Sequence, residues 1–101
     1  MNSHGKGSDR GAALYEALLT LKTPEECYAF FEDLCTVSEQ MAMEQRFEVA
    51  RLLDQGNIYS DVLEKTGVSS ATVSRVKRCL NYGAGGYRLV LERMKTVEET
   101  E

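Results

Sequence analysis

The segment from Ile58 to Leu80 constrains the fold more than any other part of the chain. Its sequence, IYSDVLEKTGVSSATVSRVKRCL, predicts two short helices joined by a tight turn at Gly67. Glycine suits such a turn because it adopts a positive φ without steric penalty. Four valines fall where the two helices would face each other: Val62, Val68, Val73 and Val76. The pattern therefore predicts a helix-turn-helix, a motif whose second helix enters a DNA major groove.

The predicted second helix has a small, hydroxyl-rich start and a basic end. Small residues let a helix lie deep in a groove, and hydroxyl groups can bond base edges or phosphates. Either Ser69 or Ser70 can cap this helix. The candidate DNA-binding residues in it are Ser69, Ser70, Ala71, Thr72, Ser74, Arg75, Lys77 and Arg78. The three basic side chains point to different sides of a helix, so they cannot all contact one DNA strand. The alternative to DNA binding is a purely structural helical hairpin with a solvated basic face.

Charge is distributed unevenly along the 101 residues. The net charge is −4, which at first argues against a nucleic-acid partner. However, residues 69–81 carry three basic and no acidic residues, so the rest of the chain carries −7. Local basic surface, rather than the global sum, drives phosphate neutralisation. No apolar run is long enough to cross a bilayer, so we expect a cytoplasmic protein without a membrane partner.

The remaining segments also have helical rather than strand periodicity. A first helix is predicted over about Ala12 to Lys22. Thr23-Pro24 and Thr36-Val37 are start signals, each followed by a glutamate that completes a capping box, Glu26 and Glu39. The longer helix from Thr36 is expected to stop at Gly56-Asn57, and a last helix is expected from Tyr87. We predict an all-α fold of about six helices, with some apolar faces covered by a second chain.

Neither the two ends of the chain nor its reactive side chains indicate a catalytic site. We expect residues 1–11 to be a mobile arm, part of which is not native, and residues 96–101 to be an acidic tail. The single histidine, His4, lies in the arm, so no catalytic base and no metal site is expected. The three cysteines should be free thiols in a reducing compartment. A redox-sensing Cys79 beside Arg75 and Arg78 is the alternative.

The segment from about Glu26 to Met94 resembles the Trp repressor family, and more closely its YerC/YecD-type branch. The resemblance is carried by residues 34–83, LCTVSEQMAMEQRFEVARLLDQGNIYSDVLEKTGVSSATVSRVKRCLNYG, and by Thr72-Val73-Ser74-Arg75 within them. It implies that residues 12–95 form a Trp repressor-like DNA-binding domain in an intertwined, all-helical homodimer. Two helix-turn-helix units would then reach two half-sites of a near-palindromic, double-stranded DNA operator about one turn apart.

The same resemblance implies a small-molecule effector pocket lined by Thr36, Arg46 and Arg75. Two departures bear on it: Val76 stands where the Trp repressor has glycine, and Cys79 replaces a serine. A family arginine that contacts DNA is replaced by Ser60, the remaining candidate DNA-binding residue. Since the valine fills space that the ligand would occupy, we expect no cofactor, and either no effector or one other than L-tryptophan.

We therefore expect a sequence-specific transcriptional regulator, and a repressor in particular. The alternative is a helical protein-interaction adapter with a helix-turn-helix that does not bind DNA, which the acidic net charge favours somewhat. No nucleophile has a histidine base, and no glycine-rich phosphate loop follows a strand, so we expect no enzymatic activity.

Overall fold

The computed structural model describes residues 10–100, with side chains through Val97. His4 and most of the predicted arm lie outside this range. Six α-helices and no strand occur in the described part, which confirms the predicted all-α fold. The helices are α1 (Ala12–Leu18), α2 (Pro24–Leu34), α3 (Val37–Asp54), α4 (Tyr59–Thr66), α5 (Ser70–Tyr82) and α6 (Gly86–Thr100).

Two capping boxes start α2 and α3 as the sequence predicts. The Thr23 hydroxyl accepts a hydrogen bond from the Glu26 N–H, and the Glu26 carboxylate accepts one from the Lys22 N–H. At α3 the exchange is fully reciprocal, because the Thr36 hydroxyl and N–H both bond Glu39. Each box satisfies donors that a helix N-terminus would otherwise leave unpaired.

Helix α1 ends four residues before the predicted Lys22. Beyond Leu18 the chain tightens, since the Thr20 and Leu21 N–H groups bond carbonyls only three residues back. The Thr20 hydroxyl also donates to the Ala17 carbonyl, 2.7 Å away. A short side chain that competes for backbone carbonyls in this way favours a turn over further helix.

The end of α3 is set by Gly56 and Asn57, as predicted. Gly56 adopts a φ of 96°. The Gly56 N–H bonds the Leu53 carbonyl, and both the N–H and the side-chain amide of Asn57 bond the Leu52 carbonyl. This is a Schellman motif, in which a left-handed residue lets the chain turn back and satisfy the last helical carbonyls.

The chain divides into two compact units, one ending at Gln40 and one beginning at Met41. All fully buried apolar residues of the described chain belong to the second unit. They are Val49, Ala50, Leu52, Val62, Val73, Val76, Leu80 and Leu91. Helices α4, α5 and α6 and most of α3 therefore share one small core, and every valine predicted to join α4 to α5 lies in it or against it.

The first unit has a different character. None of its described residues is fully buried, and its large apolar side chains include Leu19 at 86% and Val37 at 72% exposure. Phe30 and Phe31 contact each other edge to face, with ring centroids 5.8 Å apart. In the single chain, α1 and α2 therefore carry apolar side chains that remain accessible to solvent.

Helix α6 continues through Thr100, so its backbone extends into the segment that the sequence suggests is a tail. No helix among the described residues is long and apolar enough to cross a membrane. The described part also holds no cluster of side chains that could bind a metal ion.

Candidate nucleic-acid interface

The turn between α4 and α5 has the geometry that the sequence predicts. Gly67 adopts a φ of 72°, and its N–H bonds the Leu63 carbonyl to close the last turn of α4. Ser69, rather than Ser70, caps α5, because its hydroxyl accepts a hydrogen bond from the Thr72 N–H. The Thr72 hydroxyl lies 3.1 Å from the same oxygen. The hydroxyl groups of Ser69 and Thr72 are therefore both engaged at the start of the helix.

Helix α5 has two opposite faces. Val73, Val76 and Leu80 are buried, at helical spacing, against the core. The opposite face is exposed and holds five of the predicted DNA-binding residues, at positions i, i+1, i+4, i+5 and i+8: Ser70, Ala71, Ser74, Arg75 and Arg78. We call these five the recognition face. It combines small side chains near the start of the helix with two guanidinium groups farther along.

The other predicted DNA-binding residues lie beside this face. Lys77 is exposed, but at about 100° per residue it points roughly 160° away from Arg75. Thr72 is half-buried next to the cap. Ser60 is exposed in the first turn of α4. The structure thus brings five of the nine predicted residues onto one surface and distributes four around it.

Tyr59 is a residue of this site that the sequence reasoning did not identify. Its hydroxyl donates a hydrogen bond to the Ser70 carbonyl, 2.9 Å away, and lies 3.2 Å from the Ser74 Oγ. Tyr59 is the first residue of α4, so these contacts join the start of α4 to the first turn of α5. The sequence did contain a signal for this contact, namely an aromatic residue at the start of the first helix of the helix-turn-helix.

Arg88 holds the other end of α5. From α6, its Nε donates to the Leu80 carbonyl at 3.0 Å, and one guanidinium nitrogen donates to the Asn81 side chain at 3.2 Å. The second nitrogen lies 3.4 Å from the Asp54 carboxylate, which also binds the Lys95 ammonium at 2.9 Å. This hydrogen bond from Lys95 raises the pKa of Lys95 above its ordinary value. Together these contacts link the ends of α3 and α5 to α6.

The residues of the predicted effector pocket have varied surroundings. Thr36 is the capping residue of α3 in the first unit, and its hydroxyl is used there. In the second unit, Arg46 is half-buried on α3 and Arg75 is exposed on α5. Val76 is only 1% exposed and packs in the core. Cys79 is a half-buried free thiol, as are Cys27 and Cys35.

Two open grooves occur in the second unit. One, of about 500 Å³, is mainly apolar and is lined by Phe47, Cys79, residues 83–86, Tyr87 and Val90. The other, of about 400 Å³, includes Asp54, Asn57, Tyr59, Lys77 and Arg88 in its lining. Of the predicted effector residues, only Cys79 lines either groove.

Comparison with known proteins fits this arrangement. Residues 11–95 match the family profile described as Trp repressor protein. The chain belongs to the Trp repressor family. It is 53% identical over 85 residues to the uncharacterized protein YerC of Bacillus subtilis strain 168, which covers 84% of this chain and 82% of that protein.

Two crystal structures of similar proteins share the fold. A TrpR-like protein from Eubacterium eligens ATCC 27750 superposes with a TM-score of 0.79 at 51% identity, covering 83% of this chain and 87% of that one. A candidate Trp repressor from Staphylococcus aureus gives a TM-score of 0.81 at 46% identity, covering 92% and 96%. The resemblance to the Trp repressor family found in the sequence is thereby confirmed. This family consists of regulators rather than enzymes.

Proposed function

We propose that this protein is a sequence-specific DNA-binding regulator of transcription that acts in the cytoplasm as a homodimer, and that it represses by blocking promoter access. The observation that carries the proposal is the recognition face of α5. Small side chains at its start can approach base edges, while Arg75 and Arg78 supply charge for phosphates or guanines. The face lies opposite a buried stripe, so the whole surface is available to a groove.

Membership of the Trp repressor family supports the same function. The support is geometric as well, because α4 and α5 are joined by a turn with a positive-φ glycine and packed through valines, as a helix-turn-helix requires. The net charge of −4 does not oppose this, since no acidic side chain lies on α5. Binding should nevertheless depend steeply on salt concentration.

We further propose that α5 binds DNA without a small-molecule effector. Three features of this chain hold the helix in place: Val76 in the core, Tyr59 at its first turn and Arg88 at its last. A helix fixed by its own side chains gains little from a ligand that would order it. We expect no L-tryptophan binding in particular, because Val76 adds carbon atoms where the family has glycine.

The homodimer is proposed from the exposed apolar side chains. The first unit buries none of its described residues, and the second unit leaves an apolar groove beside Phe47, Tyr87 and Val90. Exposed apolar surface on either unit is typical of a protein interface. A twofold dimer would also present two recognition faces to the two halves of a palindromic operator.

Selection of bound duplexes from a random DNA pool is the direct test. The expected result is a near-palindromic motif with half-sites about one helical turn apart. Affinity for that motif should then be measured by fluorescence anisotropy across a salt series. A sequence-specific DNA binder should lose affinity linearly on a logarithmic plot, with a slope set by its phosphate contacts. Recovery of no enriched motif would contradict the proposal.

A double charge reversal separates DNA binding from the adapter alternative. Arg75→Glu with Arg78→Glu places two acidic groups on the recognition face and should abolish motif binding. The matched control, Lys22→Glu with Arg93→Glu, makes the same change in net charge at exposed residues outside α5 and should retain motif binding. If the Arg75→Glu, Arg78→Glu protein retains motif binding as the control does, the recognition face does not bind DNA; the adapter alternative is favoured if the unmodified protein binds no motif.

Calorimetry with L-tryptophan tests independence from an effector. We expect no saturable heat with the unmodified protein, and the same DNA affinity with and without the amino acid. The variant Val76→Gly restores the glycine of the family, so its affinity for L-tryptophan is compared with that of the unmodified protein. Micromolar binding at one L-tryptophan per subunit of the unmodified protein would contradict this part of the proposal.

A further inference from the structure

The contacts of Tyr59 indicate the direction of a hydrogen bond on the recognition face. The Tyr59 hydroxyl lies 2.9 Å from the Ser70 carbonyl oxygen and 3.2 Å from the Ser74 Oγ. A phenol has one proton to donate, and a carbonyl oxygen can only accept. The shorter contact assigns the Tyr59 proton to the Ser70 carbonyl, which leaves Ser74 to donate the bond between the two hydroxyls.

This assignment determines what Ser74 can offer to a DNA base. A serine hydroxyl normally rotates to donate or accept as its partner requires. Here its single proton is used on Tyr59, so only its lone pairs remain for an external group. Ser74 is exposed on the recognition face, one turn after Ser70.

We propose that Tyr59 is a specificity-determining residue that makes Ser74 an obligate acceptor, so that Ser74 selects an exocyclic amino group in the major groove. This inference rests on the proposed function. The amino groups there are N6 of adenine and N4 of cytosine. Phosphate oxygens, the guanine N7 and O6 atoms and the thymine O4 atom carry no proton and cannot satisfy an acceptor. Tyr59 itself acts through Ser74.

The proposal gives the selected operator a specific property. At one base pair in each half-site, the base that faces Ser74 should be adenine or cytosine. A neutral hydrogen bond contributes about 1 kcal/mol, so the preference should be roughly fivefold. Other positions of the motif should not depend on Tyr59.

The test measures affinity of the full-length protein for the selected duplex and for matched duplexes that lack one amino group. Purine replaces adenine, or 2-pyrimidinone replaces cytosine, at one position at a time. For the unmodified protein, one position should lose roughly fivefold in affinity because its amino group is missing. That position should become insensitive in Ser74→Ala, which identifies the contact.

Tyr59→Phe is the decisive variant, and Tyr28→Phe is its control because Tyr28 is also an exposed tyrosine. With Tyr59→Phe, Ser74 regains a free proton, so guanine or thymine should become acceptable at that position while salt dependence stays unchanged. The variant that also carries Ser74→Ala should behave like Ser74→Ala alone. Thermal unfolding of each variant shows whether the fold is intact.

Three results would overturn the inference. The first is an unchanged base preference in a folded Tyr59→Phe variant. The second is that the position sensitive to Ser74→Ala prefers guanine or thymine in the unmodified protein. The third is selection of no motif at all, which removes the proposed function together with this inference, whereas the first two leave the proposed function in place.

Discussion

The two units of this chain differ in how they treat apolar side chains. The second unit, from Met41 onward, buries eight residues around α4 and α5 and holds the ends of α5 with hydrogen bonds. The first unit, through Gln40, contains five leucines and two phenylalanines in or beside its helices but buries none of its described residues. The second unit therefore has its own core, whereas the first lacks one in the single chain.

This difference in burial indicates different roles for the two units. A recognition helix must keep its side chains fixed against the groove, and close packing with hydrogen-bonded ends provides that rigidity. Exposed apolar helices gain stability only when another surface covers them. In the proposed homodimer that surface is the second chain. The comparison predicts that substitutions in the second unit affect folding, whereas those in the first affect association.

The largest expected effect comes from placing a charge in the core of the second unit. Val73→Asp puts a carboxylate at a position with 0% exposure, and no described cation lies in that core. We expect the free energy of unfolding to fall by more than about 3 kcal/mol, measured by chemical denaturation. Val37→Asp in the first unit makes the same substitution at an exposed valine and should cost less than about 1 kcal/mol. Equal costs for the two variants would break the comparison.

The next effect concerns association through the first unit. Leu19→Glu with Leu34→Glu places two charges on its exposed apolar surface and should weaken the homodimer at least about tenfold, since a charge at an apolar interface must be desolvated. Sedimentation equilibrium measures the change. Ala29→Glu with Ser38→Glu adds the same charge at exposed small residues and serves as the control. A monomeric unmodified protein would contradict the dimer outright.

The sequence predicted the backbone of both units better than their side-chain contacts. Capping boxes, the turn at Gly67 and the valine interface depend on neighbours within a few residues, so a local pattern identifies them. The contact from Tyr59 spans 11 to 15 residues, and that from Arg88 to Asp54 spans 34. Long side chains have many rotamers, so such contacts depend on tertiary packing that no local pattern encodes. Thr72 was predicted to bind DNA but lies beside the recognition face. The sequence could have shown this, because helical periodicity already places Thr72 on a different side of the helix from Ser70 and Ser74.

A moderate effect is expected from the ion pairs that join α3 to α6. Asp54 is only 12% exposed and binds both Arg88 and Lys95, so Asp54→Ala should lower the free energy of unfolding by about 1 kcal/mol. The raised pKa of Lys95 gives the Lys95 part of this contribution, which is separate from the pair with Arg88, a pH dependence. It is fully present below the ordinary lysine pKa of 10.5 and is lost as pH rises through the higher folded value. The unmodified protein should therefore exceed Lys95→Met in free energy of unfolding by less in alkaline solution. Urea denaturation of both proteins at pH about 9 and about 11 measures this.

The smallest effect tests a half-buried ion pair on α3, within the second unit but outside its apolar core. Glu48 and Arg51 form a bidentate pair at 2.7 and 3.0 Å, and the hydrogen bond from Arg51 lowers the pKa of Glu48. The stabilisation is therefore present above the ordinary glutamate pKa and is lost as pH falls through the lower folded value. Because the side chains of Arg51 and Glu48 remain 38% and 44% exposed, Glu48→Gln should cost no more than about 0.5 kcal/mol at neutral pH. A larger loss by denaturation would show that stability in this unit depends on its surface as well as its core, and would narrow the contrast between the two units.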